Sequence, residues 1–445
     1  MMLHMKRPHL LLAATIALAI ATGTNAQNKK WTLEECIDYA IAHNIEVEQS
    51  QNQINTLKVQ RNTLKNSFLP NLNAGASQRF AFGRALNQNN TYEDSNIQSS
   101  SFSLSTEVNL FSGFKTTASI AQNKLNLLAA EAYKELMENN LSLNIAAAYF
   151  QILLDKENLR IAQEQIYLTN EQKKRTQLLI ENGKVPQSQL YEVRAQLADD
   201  ELTVTEAKNS LRLSLLHLSQ LMELKADEEF DVTAADESIA VTDTLNAISI
   251  YNSSANCMPQ IRQSYYILQS KTKEVKIARS GYYPAVSLGA GISTGYYYHG
   301  HGLSDTFKKQ FDNNMQKSIY ITVSIPLFDR FATRNKVRTA RIEEDNSRLS
   351  LEKEKKELYK EIEKAYMDAL AAFEKHESTS KAVAANREAH RYAQEKYAAG
   401  KSSVFEYNEI KMKLADALSK QSQAKYTYLL KEKILNFYAC RSLTD

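Results

Sequence analysis

Twice along this chain a stretch alternates apolar and polar residues with period two, and each time about 70 residues of unbroken helical pattern follow. Between residues 97 and 111, Phe102, Leu104, Thr106, Val108 and Leu110 fall on one face, and Ser101, Ser103, Ser105, Glu107 and Asn109 on the other. That is the alternation of a β-strand. Residues 72–83 read alike, with Ala74, Ala76, Phe80 and Phe82 set against Asn73, Ser77 and Arg79. The polar, asparagine-rich residues 84–96 between them predict a loop. In the second half, Val286, Leu288, Ala290 and Ile292 alternate with Ser287, Gly289, Gly291 and Ser293. Ile319, Ile321, Val323, Ile325 and Leu327 alternate with Tyr320, Thr322 and Ser324, beyond a long polar loop at 295–317. Each half therefore predicts one hairpin with an apolar face and a small, polar face.

Helical pattern fills the rest. Thr32 opens a short helix over 33–43, and a second runs from about 46 to 67 until Pro70 ends it. After each hairpin, residues 112–182 and 330–399 contain no proline, and Gly113 is the one early glycine. Seventy residues make roughly 100 Å of helix. Both stretches end at a Gly-Lys pair, Gly183-Lys184 and Gly400-Lys401, as a C-terminal cap would. Return helices follow at 186–222 and 403–438, with Pro186 suited to a first turn and Ser403 with Glu406 to a capping box. A return helix of roughly 54 Å and an earlier helix of roughly 33 Å, laid end to end, nearly match the long helix beside them. Ile145, Ile152, Leu159 and Ile166 recur every seven residues, a coiled-coil seam, and Ala148 and Ala162 would admit a close neighbour.

The two halves are one motif written twice. Phe111 meets Phe328, Tyr149 meets Tyr366, Gly183 meets Gly400 and Glu192 meets Glu409, all at an offset of 217 (328 − 111, 400 − 183). Upstream, Pro70 and Pro284 give 214, so the copies differ by three residues in a hairpin loop. The resulting division is a leader at 1–26 and a first repeat at 27–222 (hairpin 71–111, helical hairpin 112–222). An acidic equatorial linker at 223–246 leads to a second repeat at 247–440 (hairpin 284–328, helical hairpin 330–438), and 441–445 are a tail.

Composition changes this picture in three ways. The formal net charge of +3 argues against nucleic acid as a partner. Lys6, Arg7, an apolar run over 10–21 and Thr24-Asn25-Ala26 form an export signal that predicts Gln27 as the mature start, with no cysteine there for a lipid anchor. Three widely spaced cysteines, Cys36, Cys257 and Cys440, predict neither a disulfide framework nor a zinc site. No later apolar run approaches the roughly 18 residues of a membrane helix, so any membrane entry would be by strands.

The apolar strand face could pack on a second sheet or meet lipid in an outer-membrane barrel. Export, strand lengths of about 10 residues and aromatics at the strand ends favour the barrel. Four strands cannot close one, since the smallest have about eight, and an open edge in lipid is forbidden. The barrel would therefore be shared between chains. Enzymatic chemistry finds no support. Gly400-Lys401-Ser402 imitates a phosphate loop, but Glu395 stands where its first glycine belongs. His299-Gly300-His301 sits in a loop with no third ligand near it. We expect no catalytic residue, cofactor or resident metal.

Several segments together resemble the TolC-like outer-membrane efflux proteins: Trp31-Thr32-Leu33-Glu34-Glu35 with Ala40 and Asn44, Phe68-Leu69-Pro70-Asn71-Leu72, Leu110-Phe111-Ser112-Gly113, the two Gly-Lys tips, and the return-helix run from Leu190 to Leu197. The resemblance spans residues 31–438 and implies a mainly α fold with a membrane β-barrel. In that fold a tandem repeat contributes four strands per chain to a shared, trimeric 12-stranded barrel above a coiled-coil tunnel. It implies a passive duct in the outer membrane of a Gram-negative bacterium, with its helices in the periplasm. The duct would serve a tripartite efflux or type I secretion system. Partners would be two further copies, outer-membrane lipid, a periplasmic membrane-fusion adaptor and an inner-membrane pump of RND, ABC or MFS type. Gly183, Lys184, Val185, Gly400, Lys401 and Ser402 match the adaptor-docking tips. Glu406 and Glu409 match the acidic ring of the periplasmic gate, although the family usually has aspartate there. The rival reading is a soluble periplasmic coiled-coil interaction or adaptor protein.

Overall fold

The computed structural model describes residues 30–86, 90–94, 96–225, 230–233, 246–299 and 305–443. The predicted export signal, Gly300 and His301 lie outside these. In chain order the elements are β1 (Lys30–Trp31), α1 (Leu33–His43), α2 (Ile45–Asn66), β2 (Asn73–Ala81), β3 (Arg84–Leu86), β4 (Tyr92–Asp94), β5 (Ile97–Ser112), α3 (Lys115–Glu181) and α4 (Ser188–Leu221). Then come β6 (Asp231–Val232), α5 (Ala247–Cys257), α6 (Pro259–Arg279), β7 (Ala285–His299), α7 (Phe307–Asn313), β8 (Gln316–Ser324), α8 (Ala332–Ala398) and α9 (Val404–Tyr438).

Helices α3 and α8 are each 67 residues long, and both their starts and their ends are 217 residues apart. The entry to each is also shared. Gly113 and Phe114 have positive φ before α3, and Arg330 and Phe331 before α8. At Gly113 the turn demands glycine twice over, because a Cβ would stand 2.6 Å from the Ser280 carbonyl oxygen. Asp329 supplies the second copy's anchor by accepting from the Thr333 N–H at 2.7 Å.

Packing follows the expected layout. Helices α2 and α4 lie along α3 and α9 along α8, whereas α6 runs between α3 and α8, packing on α3 at least as closely, and α9 also touches α3. The largest core gathers Cys36, Ile37, Ala40, Ile145, Tyr149, Ile152, Leu218 and Met222. Ile145 and Ile152 of the heptad series are fully buried, whereas Leu159 and Ile166 are half-buried in the single chain. The acidic linker is tied into this core: Asp231–Val232 pairs in parallel with Lys30–Trp31, and the Tyr149 hydroxyl donates to the Thr233 carbonyl at 2.7 Å.

Four strands form one sheet in the order β2-β5-β7-β8, antiparallel throughout and open at both ends. Three expectations are corrected here. The first loop holds a short hairpin, β3 with β4. The second loop is shorter than its polarity suggested, because β7 runs on to His299 and α7 fills part of what remains. Strand β8 stops at Ser324, so Ile325 and Leu327 lie beyond it; Pro326 has no N–H to continue the ladder.

A fourth correction concerns the cysteines. Cys257, at the end of α5, and Cys440, just past α9, form a disulfide across 183 residues with Cα atoms 6.7 Å apart. Their wide spacing hid the pairing, because the fold returns the end of α9 to α5. Ser254 Oγ donates to the Tyr438 carbonyl beside the bond. Beyond it, Leu443 is buried in the first repeat's core.

Candidate functional site

The sheet separates its side chains as the alternation predicted. One face carries Phe102, Leu104, Val108, Leu288, Ile292 and Ile319; the other carries Ser77, Ser101, Ser103, Ser293, Ser318 and Thr322. Ser77 and Ser101 hydroxyls meet at 2.7 Å across the polar face. Ile319 and Ile321 are 82% and 66% exposed, an amount of bare aliphatic surface that water would not favour and lipid would. Both outer strands, β2 and β8, are nine residues long and, among the described residues, lack a partner on one side. No helix among the described residues is long and apolar enough to cross a membrane.

Aromatic residues collect where the sheet meets the helices. Phe114 packs edge-on against Phe111 and Tyr283, and Phe331 against Phe328. Not all strand aromatics belong to such a belt: Tyr297 and Tyr320 sit on the polar face. At the other end, β7 outruns β8, and α7 takes the uncovered edge. Gln310 binds both the N–H and the carbonyl of Tyr297, Asn314 donates to the Gly295 carbonyl at 2.7 Å, and Phe307 and Phe311 pack on Phe102. That helix was invisible in the sequence because seven residues are too few to show a period.

Helices α3 and α8 close identically, although only the second return helix starts with a side-chain cap. In the first, Lys184 N–H donates to the Leu179 carbonyl and Gly183 N–H to that of Ile180, both at 2.9 Å. In the second, Lys401 donates to Lys396 at 2.9 Å and Gly400 to Tyr397 at 3.1 Å. This paired closure needs a left-handed residue at its centre, and Gly183 and Gly400 have φ of 67° and 69°. Lys184 and Lys401 are exposed, and Val185 and Ser402 half-exposed, on these turns.

Just beyond the second turn stand Glu406 and Glu409. Ser403 and Glu406 form the predicted capping box, with Glu406 N–H donating to Ser403 Oγ at 3.1 Å. Ser402 Oγ donates to the Glu406 carboxylate at 2.7 Å, and that bond, then the Ser403 N–H, holds the carboxyl below the usual glutamate range. Glu409 is exposed and takes Lys413 Nζ at 2.7 Å. The acids are thus on one exposed helix start, but one of them is charge-balanced within the chain. Phe405, between cap and acid, is 74% exposed. Sequence reasoning passed over it.

Inside the tips the two hairpins are joined by polar contacts. Arg175 of α3 donates to the Ala398 carbonyl at 2.9 Å, and Thr176 Oγ1 meets the Tyr397 hydroxyl at 3.2 Å. Tyr397 stacks on Tyr407 at 5.0 Å, in an apolar cluster with Val193, Ala393 and Val404. Further in, Lys411 of α9 is 1% exposed. It donates to Thr169 Oγ1 of α3 at 2.5 Å and lies 3.4 Å from Asp200 Oδ2 of α4; that oxygen also accepts from Thr169, and Asp200 Oδ1 accepts from Gln196 at 2.8 Å. Burial pushes the Lys411 ammonium down, opposed by Asp200. A signal existed: Val404, Tyr407, Lys411, Leu414 and Leu418 follow a heptad, with a lysine in a core position.

A family model described as outer membrane efflux protein matches residues 36–223 and 250–439, one span per repeat. A search of curated proteins finds no match to this chain. Among solved structures, CusC, studied for folding and transmembrane channel formation, superposes with a TM-score of 0.77 at 18% identity over 94% of this chain and 95% of that one. The Campylobacter jejuni CmeC outer membrane channel gives 0.74 at 18% over 93% and 87%, and the Vibrio cholerae outer membrane protein VceC 0.73 at 16% over 92% and 96%. At such identities the likeness is one of fold.

Proposed function

Because this chain belongs to the outer membrane efflux protein family, and so is an outer-membrane efflux channel with a periplasmic helical tunnel, we propose that three copies close one 12-stranded barrel and pass cargo without changing it. The observation that carries this is the four-stranded sheet with two unpartnered nine-residue edges and one bare aliphatic face. Joining β8 of one chain to β2 of the next satisfies both edges and leaves no strand open to lipid.

An inner-membrane pump, of RND, ABC or MFS type, supplies the energy in this reading, and a periplasmic adaptor links it to the tunnel for efflux or type I secretion. The adaptor docks on the turns at Gly183, Lys184, Val185, Gly400, Lys401 and Ser402, whose matching geometry offers two equivalent grooves per chain. Exposed Phe405 lies beside the second. The tunnel mouth is the ring of Glu406 and Glu409, with Glu406 supplying the negative charge because Lys413 offsets Glu409. Opening separates the two hairpins, and the Lys411, Asp200 and Thr169 cluster resists it as one of two discrete packings. Planar-bilayer recording is the test. Cation selectivity and divalent block should fall in Glu406→Gln with Glu409→Gln, and an unchanged profile would remove the acidic mouth.

A further inference from the structure

The polar face of the sheet holds mostly serine, glycine, threonine and asparagine. Among its described residues it carries one arginine, Arg79, and one glutamate, Glu107. Both are exposed, and neither forms an ion pair with another described residue. Register fixes their separation. Arg79 stands opposite Ser99, and Glu107 is eight residues further along the same strand and on the same face. At about 3.3 Å per residue that is roughly 26 Å along the strand.

Glu107 lies five residues before β5 ends at the helices, while Arg79 lies near the loop end of β2. Glu107 is also held in a built row across the sheet. Its N–H donates to Asn71 Oδ1 at 2.8 Å, and Asn71 N–H returns to its carbonyl at 3.0 Å. Its neighbours in register are Gly289 and then Tyr320. The Tyr320 ring lies over Gly289, where a Cβ would come within 2.6 Å of the hydroxyl oxygen, so the phenol reaches across toward the glutamate strand.

We propose that the barrel lumen is electrically two-ended: a Glu107 ring with Tyr320 hydroxyls binds cations at the tunnel end, and an Arg79 ring binds anions at the outer mouth. This rests on the reading that three chains close the barrel with the polar face inward. At physiological salt the Debye length of about 8 Å is far shorter than the separation, so each ring acts alone; at 0.01 M it is about 30 Å and the rings couple. Opposite fixed charges in series rectify. Ions accumulate between the rings when cations enter past Glu107 and anions past Arg79, and they deplete under the reverse field.

The test is single-channel recording in planar bilayers in 10 mM and 1 M KCl, using trimers verified by size and circular dichroism. Wild type should pass more current with the tunnel side positive in 10 mM KCl, and the asymmetry should shrink in 1 M KCl, where screening reaches about 3 Å. Glu107→Gln and Arg79→Gln should each cut the rectification ratio about twofold or more, while Glu107→Asp keeps it. Should Glu107→Gln fail to assemble, Arg79→Gln decides. Channels whose rectification survives both neutral substitutions overturn the two-ended lumen and leave the channel standing. A stable monomer, with no trimer by size, overturns the shared barrel and the two-ended lumen together.

Discussion

Lys411 and Asp200 lie on the return helices of different repeats, 3.4 Å apart from Nζ to Oδ2, with the lysine sealed from solvent and Thr169 of a third helix bridging them. It is one of the contacts that join the two hairpins, with Arg175 to Ala398 and Thr176 to Tyr397 nearer the tips. Burial disfavours the lysine's charge, and Asp200 favours it.

Removing one partner should therefore cost much more than removing both. Lys411→Met leaves Asp200 buried without its cation and should destabilise the helical body by about 3–5 kcal/mol. Lys411→Met combined with Asp200→Asn should return to within about 1 kcal/mol of wild type or exceed it. Denaturant melts of the four proteins form the cycle, and additive losses would contradict a coupled pair.

The Cys257–Cys440 disulfide closes 183 residues and lies in a chain exported to an oxidising compartment. Cys440→Ser should lower stability by about 3–5 kcal/mol and free the tail that seats Leu443. Proteolysis near the C-terminus should accelerate, and gel mobility should lose its sensitivity to reductant. Unchanged proteolysis would mean that the tail is held by packing alone.

Protonation of Glu406 should loosen the start of α9. Its carboxyl is held below the ordinary value of 4.5, so its contribution is fully present above that value and is lost as pH falls through the lower, folded one. The protection factors of the Glu406 and Tyr407 amides, which bond Ser403, should fall on acidification in wild type once the intrinsic pH dependence of exchange is divided out, and should already be low at neutral pH in Glu406→Ala. A flat profile in wild type would show that the cap does not govern this turn.

The Gly-Lys turns should tolerate bulk but not a change of backbone. Nothing lies within 4 Å of a Cβ added at Gly183 or Gly400, so Gly400→Ala should lose roughly 1 kcal/mol through its left-handed φ alone. Lys184→Glu with Lys401→Glu should instead leave stability unchanged and weaken adaptor co-purification several-fold. Equal adaptor recovery would move the docking surface elsewhere.

Much of the fold was legible because it rests on periodicity. Period two marked the four strands, the absence of proline marked the two 67-residue helices, and one constant offset related their ends. Glycine at the tips and Ser403 with Glu406 announced caps that formed as written. What escaped depends on contacts between distant segments. Cys257 meets Cys440, Asp231 meets Lys30, and Lys411 meets Asp200 only after the chain has doubled back. The candidate gate shows a different limit: the Glu409–Lys413 pair is a local i,i+4 spacing present in the sequence, which the match to the family's acidic ring passed over.

In the proposed barrel the sheet is complete only between chains. Native mass measurement of protein extracted from the outer membrane, in the detergent that supports channel activity, tests that most directly. Three chains per particle is the result expected. One chain per particle in that extract would contradict it.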